Sequence, residues 1–437
     1  GALHEIGEQL DVFAHLTKWC ERSVESSEIP AMVHRAFQQL TTGRPRPVEI
    51  EIPWDILPGQ SDIELMEREV HPKVRPEPSD IKSAVAALAR AERPLIWIGG
   101  GAREANLSLE LLDLAQALNS PVITTPEGKG AFPDNSVLSL GTIYNGHGPG
   151  HHVVPQSDVI LAIGTRMHLV PEVDWSPQLH QTLIQIDADP EEVGRNIPVT
   201  TGIAADGLLA LQDLLAELGG KTRASQWTPN ELESIRNAAA EEIQAMAPLQ
   251  VEIINDIREE LDDDAIMVSG TTEIGYWSHL AFPVLAPRSY LTSSYFATLG
   301  YAFPTALGAK VGNPDRQVVA TSGDGGFGYA SSELATAVQE NLNVVTILFN
   351  NESYGASYAD QENRFSGRII GTRIHNPDYA KLAESYGASG IKLSGHQELG
   401  HTLRDALRAN GPVLIEVPIP NLVPPFQISP PGMVRRR

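Results

Sequence analysis

Two apolar runs that end in polar side chains constrain the fold more than any other feature of this chain. Residues 318–321 lead into Ser-Gly-Asp-Gly-Gly-Phe at 322–327, and residues 344–349 lead into Asn350 and Asn351. The stretch 331–338 between them has the pattern of a helix. A strand, a helix and a second strand in this order predict two parallel strands joined by a crossover helix. Because ligands bind beyond the carboxyl ends of such strands, we expect both polar ends to face one site.

The residue types at these strand ends are suited to a metal ion and a phosphate. Three glycines around Asp324 would let backbone N–H groups approach a phosphate, whose charge a following helix N-terminus favours. They are Gly323, Gly325 and Gly326. Mg²⁺ prefers hard oxygen ligands, and Asp324, an asparagine amide oxygen and a free backbone carbonyl would supply them. Either motif alone is common in ordinary turns, but the two together at successive strand ends favour the metal–phosphate interpretation.

The rest of the chain repeats this alternation of strand-like and helical patterns. It therefore predicts the α/β class, with doubly wound parallel sheets and crossover helices. At 437 residues the chain is too long for one core. We expect part of a domain at 1–58, a central domain at 78–218 and a third domain at 246–424. A proline-rich linker at 59–77, a linker helix at 219–245 and a tail at 425–437 complete the predicted organisation.

Element bounds follow from the apolar runs and the turn residues. One helix is expected near 29–40, a charged helix at 228–245, and another that begins at about Ser79, whose hydroxyl would cap it. The predicted strands are 48–52, 94–98, 122–125, 159–164, 183–187, 265–268, 318–321, 344–349 and 413–417.

Composition argues against several classes of function. The 32 basic and 55 acidic residues give a net charge of −23, which disfavours nucleic acid as a partner. The single cysteine, Cys20, excludes an internal disulfide framework and fits a cytoplasmic location. No apolar run approaches the roughly 20 residues that cross a bilayer, so we expect no membrane partner.

The strand-end motif at 323–351 resembles the thiamine-diphosphate-binding motif. Residues 304–308, after Leu299-Gly300-Tyr301, resemble the segment that precedes this motif in acetolactate synthases and benzoylformate decarboxylases. Residues 43–53 resemble the end of the pyrimidine-binding domain of the same family. The resemblance covers nearly the whole chain and implies a three-domain architecture whose first domain is incomplete. It also implies thiamine diphosphate and Mg²⁺ as cofactors and a small 2-oxo acid as substrate.

The resemblance implies ligands for the metal and the diphosphate. Asp324 and Asn351 would bind Mg²⁺ through their side chains, and Ser353 through its carbonyl. Thr271 and Thr272 would donate hydrogen bonds to the diphosphate. For Thr272, capping at the end of the preceding strand explains the residue equally well.

The resemblance also implies contacts to the organic part of the cofactor. Leu299 would lie under the cofactor and force the bent conformation that brings the pyrimidine amino group onto the reactive thiazolium carbon. Core packing is the alternative for Leu299. The Ala297 carbonyl would accept a hydrogen bond from that amino group. Tyr354 and Gly355 belong to a segment at 350–355 that is particularly similar to the decarboxylase version, and Tyr354 would face either the substrate or the core.

The implied reaction is decarboxylation of a 2-oxo acid, with carbon–carbon bond cleavage or carboligation through a C2 carbanion. The family's activating glutamate lies in the first half of the pyrimidine-binding domain, outside this sequence, and neither Glu5 nor Glu51 occupies its position. We therefore expect the polypeptide either to be inactive alone or to be part of a longer protein. The site would form between chains of a homodimer or homotetramer. The alternatives are a benzoylformate-type decarboxylase and a non-catalytic thiamine-diphosphate-binding subunit that needs a partner.

Three departures from the family pattern bear on the substrate. Leu3-His4, Trp54-Asp55 and Asp360 stand where acetolactate synthases carry a Phe-Gln pair, a lysine before the aspartate, and a tryptophan. The resemblance therefore supports the architecture more strongly than it supports the synthase reaction. His4 is a candidate proton carrier in the catalytic site, and a packing or surface role explains it equally well.

The central region resembles the FAD-binding domain of the synthases at 99–102, 124–125, 164–166 and Asp187. It departs from that pattern at 145–150 and 167–169, so FAD stays an alternative rather than the expected cofactor.

Three histidines, His147, His151 and His152, lie in a loop rich in glycine and proline within this region. The sequence places no carboxylate cluster beside them, so we do not expect a metal site there.

Overall fold

The computed structural model describes residues 3, 6–67, 69–167, 181–220, 224–293 and 296–428. Within these ranges the strands form three sheets, and their paired strands are parallel. Helices connect successive strands, so the predicted α/β class is confirmed. One sheet lies within each of the three predicted units, whose boundaries remain predictions.

The first sheet has two strands, β1 (Trp19–Arg22) and β2 (Val48–Glu51). Helix α1 (Gln9–Ala14) precedes it, and α2 (Ile29–Thr41) joins its strands. Strand β1 was not predicted, because Trp-Cys-Glu-Arg shows neither an apolar run nor a clear alternation. The described residues of 59–77 form no helix or strand, as expected of a linker.

The second sheet has six strands in the order β5-β4-β3-β6-β7-β8. The chain starts at β3, runs outward to β5, and then returns to the other side of β3 as β6. The direction of winding therefore reverses between β3 and β6. The strands are β3 (Pro94–Ile98), β4 (Val122–Thr124), β5 (Ser139–Thr142), β6 (Val159–Ile163), β7 (Thr182–Asp187) and β8 (Thr201–Ala204). The helices are α3 (Pro78–Leu88), α4 (Gly100–Glu104), α5 (Ser108–Leu118), α6 (Gly150–Val153) and α7 (Gly207–Leu218).

The prediction that Ser79 caps α3 is wrong. The helix begins one residue earlier, at Pro78, and Ser79 lies inside its first turn. Proline is favoured at the first helical position because its φ is preset and its missing N–H would have no helical partner there.

The third sheet also has six strands, in the order β10-β9-β11-β12-β14-β13, and its winding reverses between β9 and β11. Side chains alternate across it: Met267 packs into one apolar layer, while Ile266 and Val268 pack into the other. The strands are β9 (Ile266–Ser269), β10 (Tyr290–Thr292), β11 (Val318–Gly323), β12 (Val345–Asn350), β13 (Ser389–Lys392) and β14 (Val413–Pro418).

Helix α8 (Pro229–Met246) connects the second and third sheets and matches the predicted charged helix. The predicted helix at 331–338 is a 3₁₀ turn, Ser331–Glu333, followed by a short α-helix. The remaining helices are α9 (Pro248–Glu259), α10 (Glu273–Ala281), α11 (Ala302–Gly312), α12 (Asp324–Phe327), α13 (Leu334–Gln339), α14 (Gly355–Arg364), α15 (Tyr379–Tyr386) and α16 (Leu399–Ala406).

Buried polar contacts join the second sheet's unit to the third. The Asp134 carboxylate accepts hydrogen bonds from Lys129 Nζ at 3.2 Å and from the Val284 backbone N–H at 2.8 Å. Lys129 is 2% exposed, so this bridge lies in the interior. Among the described helices, none combines the length and apolar character required to cross a bilayer.

Candidate functional site

Three adjacent strand ends of the third sheet bring the predicted motifs together. Strand β11 lies between β9 and β12, and all three run in the same direction. Thr272 follows β9, Asp324 follows β11, and Asn351 follows β12. The winding reversal between β9 and β11 opens the sheet edge here, where α/β proteins commonly bind ligands.

Asp324 is a buried acid at this edge, 2% exposed. One carboxylate oxygen accepts a hydrogen bond from the Gly325 backbone N–H at 2.9 Å, and the other accepts from Asn376 Nδ2 at 2.6 Å. Burial raises the pKa of Asp324, and these two hydrogen bonds oppose the rise. A cation at the same carboxylate would favour its charged form further.

Glu273 is a second buried acid, which the sequence reasoning did not select. It is 6% exposed and begins α10. Its Oε1 accepts a hydrogen bond from Asn351 Nδ2 at 3.0 Å. Burial raises the pKa of Glu273 to about 7, and the nearby Asp324 carboxylate adds to that rise. The signal available in the sequence was its place directly after Thr271 and Thr272.

The donors at this edge fit a Mg²⁺ ion held together with a diphosphate. Within the described chain, no basic side chain offsets the charge of Asp324 or Glu273. Two neighbouring buried acids without a cation are unfavourable, and a divalent cation would relieve that repulsion. Mg²⁺ takes carboxylate, amide and carbonyl oxygens and usually shares them with phosphates. The Asp324 and Asn351 side chains and the Ser353 carbonyl are the groups here that could hold it.

The turn after β12 is sharp, and hydrogen bonds from its backbone to its own side chains hold its conformation. Glu352 has φ 55°, in the left-handed region that non-glycine residues seldom adopt. The Glu352 N–H donates to Asn350 Oδ1 at 3.1 Å, and the Ser353 N–H donates to Asn351 Oδ1 at 3.2 Å. The Ser353 hydroxyl donates to Asn421 Oδ1 at 2.6 Å. These bonds fix the backbone between the two predicted ligands, Asn351 and Ser353.

Two glycines of the site occupy positions where a side chain would not fit. A Cβ on Gly355 would lie 1.4 Å from Glu273 Oε1, and one on Gly325 would lie 2.7 Å from the Tyr354 ring. Gly355 is therefore required so that the Glu273 carboxylate can reach Asn351. Tyr354 is half-buried and covers the Gly-Asp-Gly loop.

A four-residue helix, Asp324–Phe327, follows β11 directly, so the helix N-terminus predicted beside the phosphate is a short one. Gly323 and Gly326 leave more space than Gly355: the nearest atoms to a Cβ there would be 3.4 Å away, on Thr272 and Ser322 respectively. Side chains therefore approach the loop less closely at Gly323 and Gly326 than at Gly325, which Tyr354 covers.

The residues predicted to contact the cofactor lie around the same loop. The Thr272 hydroxyl accepts a hydrogen bond from the Gly275 N–H at 2.8 Å and caps α10, and its proton is still available for donation. Thr271 is half-buried beside it. Leu299 is half-buried, and its Cδ2 would lie 3.8 Å from a Cβ on Gly326. Ala297 is exposed and has φ 55°.

Three other positions singled out in the sequence have different outcomes. His4 lies outside the described residues, so its candidate role stays a prediction. Trp54 is 83% exposed. Asp360 lies in α14 and forms an ion pair with Arg364 at 2.8 Å. No contact between these last two residues and the strand-end site is seen in the described part of the chain.

The glycines after β3 serve close packing of the second sheet. The Gly101 N–H donates to the Gly164 carbonyl at 3.0 Å, and a Cβ on Gly99 would lie 2.3 Å from that carbonyl oxygen. Their occurrence is explained by contact between the turns after β3 and β6. These glycines add no support for FAD binding. Of the segment 167–169, which differs from the synthase pattern, residues 168–169 lie outside the described residues.

A network of hydrogen bonds from other segments holds the ends of β11 and β12 in place. Asn376 Nδ2 donates to Asp324 Oδ2 and, at 2.9 Å, to Asn350 Oδ1. Asn350 Nδ2 donates to Glu416 Oε1 at 2.8 Å, and the Tyr379 hydroxyl donates to the Asp324 carbonyl at 3.1 Å. Sequence reasoning missed Asn376, Tyr379 and Glu416. They come from distant segments and carry no local motif.

Comparisons with known proteins agree on one family. The model of the thiamine pyrophosphate enzyme central domain matches residues 81–214, and that of the C-terminal TPP binding domain matches residues 270–417. The chain is 34% identical to a probable acetolactate synthase large subunit of Methanocaldococcus jannaschii, over 96% of this chain and 74% of that protein. It is 32% identical to a probable 2-ketoarginine decarboxylase of Pseudomonas aeruginosa, over 95% and 74%. It is also 32% identical to an acetolactate synthase large subunit of Haemophilus influenzae, over 87% and 69%.

Proposed function

Since this chain belongs to the thiamine pyrophosphate enzymes, the family that includes the acetolactate synthases, we propose that the ends of β9, β11 and β12 hold its cofactor's diphosphate and Mg²⁺. Thiamine pyrophosphate is thiamine diphosphate under another name. The observation that carries the assignment is the pair of buried acids, Asp324 and Glu273, which have no basic partner in the described chain.

Each residue of the site has a distinct part in the proposal. Asp324, Asn351 and the Ser353 carbonyl bind Mg²⁺, and Thr271 and Thr272 donate to the diphosphate. Glu273 orients the Asn351 amide through the bond at 3.0 Å. The resulting cluster neutralises a diphosphate that would otherwise meet two carboxylates.

The loop residues position the organic part of the cofactor. When bound, thiamine diphosphate supplies a carbanion that adds to a 2-oxo acid and accepts the electrons released with CO₂. Leu299, beside Gly326, supports the cofactor from below, and the Ala297 carbonyl orients its amino group. Tyr354 packs over Gly325 and excludes water from that side of the loop. Candidate proton transfer by His4 belongs to the same proposal.

The proposed reaction is acetolactate-synthase-like: decarboxylation of a 2-oxo acid followed by transfer of the two-carbon or larger acyl unit to an acceptor. A simple decarboxylase is the second candidate. It is supported by the 32% identity, over 95% of this chain, to a probable 2-ketoarginine decarboxylase. The residues Trp54 and Asp360, which differ from the synthase pattern, also support a decarboxylase.

We also propose that the active enzyme is a homodimer or homotetramer whose site lies between chains, and that it works in the cytoplasm. Three large apolar side chains in segments that also carry site residues are open to solvent in one chain: Phe296 is 84%, Tyr329 67% and Ile370 80% exposed. Single exposed apolar side chains are ordinary, but several of them in the segments of one site support an interface. The lone Cys20 supports a reducing compartment.

Product analysis tests the function. The protein is incubated with thiamine diphosphate, Mg²⁺ and a panel of 2-oxo acids that includes pyruvate, benzoylformate and 2-ketoarginine, and CO₂ and organic products are measured. Carboligation products support the synthase-like reaction, and free aldehyde supports the decarboxylase. Cofactor binding without CO₂ from any substrate would show that this polypeptide anchors the cofactor but needs the activating glutamate from another segment or subunit. Absence of cofactor binding overturns the proposal.

A further inference from the structure

Two neighbouring histidines and one glutamate converge where α6 meets α8. His151 and His152 lie in α6, and Glu242 lies on α8. His151 Nε2 is 3.3 Å from both carboxylate oxygens of Glu242, and His152 Nε2 is 3.1 Å from Oε1. This cluster could not be recognised in the sequence, because the glutamate is about ninety residues away along the chain. The fold brings a single carboxylate, that of Glu242, to two of these histidines.

The spacing of these atoms is that of ligands around one metal ion. Zinc binds imidazole nitrogen and carboxylate oxygen at about 2.0–2.2 Å, so two ligands of a tetrahedral ion stand about 3.3 Å apart. The three nitrogen–oxygen distances, from 3.1 to 3.3 Å, match that separation. The three candidate ligand atoms lie within 4.8 Å of one another. One ion can therefore contact all three with small adjustments.

The local electrostatics also suit a cation. The two imidazole rings lie with centroids 3.8 Å apart and planes tilted by 39°, an arrangement that disfavours two charged rings. Neutral imidazole is the metal-binding form. Two neutral rings and one carboxylate would give a zinc complex with a single net positive charge, in a chain whose overall charge is −23.

The third histidine of the loop has a different role. His147 is 1% exposed, and its Nε2 lies 3.0 Å from the Pro425 carbonyl oxygen, so it holds the end of the third sheet's unit. The Glu242 side chain is 35% exposed, which leaves one side of the cluster open to water. The buried His151 Nδ1 has no hydrogen-bond partner in the described structure. Zinc ligands normally have such a partner, so binding should be weaker than at closed four-ligand sites.

We propose that His151, His152 and Glu242 bind one Zn²⁺ ion, with water completing its coordination, and that this ion clamps α8 to the second sheet. Helix α8 connects the second and third sheets and packs against β5. The ion would therefore stabilise the relative position of the two units without taking part in the thiamine-diphosphate site.

Metal titration of the full chain tests the proposal. After EDTA treatment and dialysis, the protein is titrated with ZnCl₂ by calorimetry and with CoCl₂ by visible absorption, whose intensity distinguishes four-coordinate from six-coordinate cobalt. We expect one equivalent of Zn²⁺ and a four-coordinate Co²⁺ spectrum. The variants E242Q and H152Q should each weaken binding by at least about 100-fold, since loss of even an outer partner costs 10- to 100-fold.

Two controls separate this site from others. E252Q disrupts the His396–Glu252 pair, which has one histidine and one glutamate 3.4 Å apart, and should bind Zn²⁺ like the wild type. D324A removes the proposed Mg²⁺ ligand and should also retain the Zn²⁺ equivalent. Absence of stoichiometric Zn²⁺ binding, or wild-type affinity in folded E242Q and H152Q, would show that the cluster is only an ion pair. Loss of the equivalent in D324A alone would place the ion at the strand-end site and overturn the proposal.

Discussion

Asn376 donates a 2.6 Å hydrogen bond to the buried carboxylate of Asp324 and thereby fixes the direction in which the remaining lone pairs of that carboxylate point. Asn376 precedes α15 and belongs to no recognised motif. Outer partners of this kind orient metal ligands and are needed for tight metal binding.

N376A should weaken Mg²⁺-dependent binding of thiamine diphosphate by about 10- to 100-fold, because the Asp324 carboxylate loses its orientation. Titration of cofactor in excess Mg²⁺, followed by intrinsic fluorescence, measures the effect. N363A provides the matched control, since Asn363 makes only an exposed 3.5 Å contact with Gln427. Equal affinities in N376A and the wild type would remove Asn376 from the site.

G355A should displace the Glu273 carboxylate, since a Cβ there would lie 1.4 Å from Oε1. We expect lower stability and loss of cofactor binding, measured by thermal unfolding with and without thiamine diphosphate and Mg²⁺. The double variant E273A/G355A should recover part of that stability, because the overlap with Glu273 is gone and only Asn351 Nδ2, 2.6 Å from the Cβ, still has to shift. G312A is the control: nothing lies within 4 Å of a Cβ at that position. A stable G355A that binds cofactor normally would contradict the packing described for Glu273.

The free energy of unfolding should decrease at acidic pH, because unfolding lets His279 bind a proton. Its Nδ1 lies 2.9 Å from the Tyr290 hydroxyl oxygen, and burial, with Lys129 nearby, lowers its pKa to about 3. The unfolded chain binds this proton near pH 6.5, so the folded state is fully favoured above pH 6.5 and loses stability between about pH 6.5 and 3. The slope is up to about 1.4 kcal/mol per pH unit.

Urea unfolding of the wild type and H279N, measured from pH 7 to pH 4, tests this account of His279. The asparagine Oδ1 can still accept from Tyr290, but it does not titrate. The wild-type free energy of unfolding should therefore decline more steeply with acid than that of H279N. Parallel curves would mean that His279 does not stay neutral in the folded chain.

K129M should destabilise the fold by about 3–5 kcal/mol, because it leaves the Asp134 carboxylate without its buried partner. The Lys129 ammonium also lies 3.2 Å from the Thr142 hydroxyl. The double variant K129M/D134N, which removes both charges, should be more stable than K129M. Urea unfolding measures both. If the double variant were no more stable than K129M, the ion pair would not account for the loss.

The pattern of apolar residues was sufficient to predict the interior strands named below, but it did not predict the edge strands β1 and β13. Strands β3, β6 and β12 carry runs of buried apolar residues, so their positions followed from the sequence almost to the residue. Strands β1 and β13 lie at sheet edges. Their sequences, Trp-Cys-Glu-Arg and Ser-Gly-Ile-Lys, have no such run, because little of them is buried.

The site could be predicted as far as its residues lie in local motifs. Asp324 and Asn351 stood out because each follows an apolar run, and the parallel sheet brings those strand ends together. Asn376 could not be selected in the same way, because it comes from a separate segment and is recognised only by its contact with Asp324. For Glu273 the sequence offered only its place after Thr272, and its role is recognised by its contact with Asn351. Glu242 illustrates the same limit at the histidine cluster.

The central claim is that Asp324 anchors Mg²⁺ and the diphosphate at the ends of β9, β11 and β12. Calorimetric titration with thiamine diphosphate, with and without Mg²⁺, measures this directly in the wild type, in D324A and in the control D405A, whose side chain is 61% exposed on α16. We expect Mg²⁺-dependent binding to the wild type and D405A, and affinity at least about 100-fold weaker in D324A. Unchanged, Mg²⁺-dependent binding to folded D324A would contradict it.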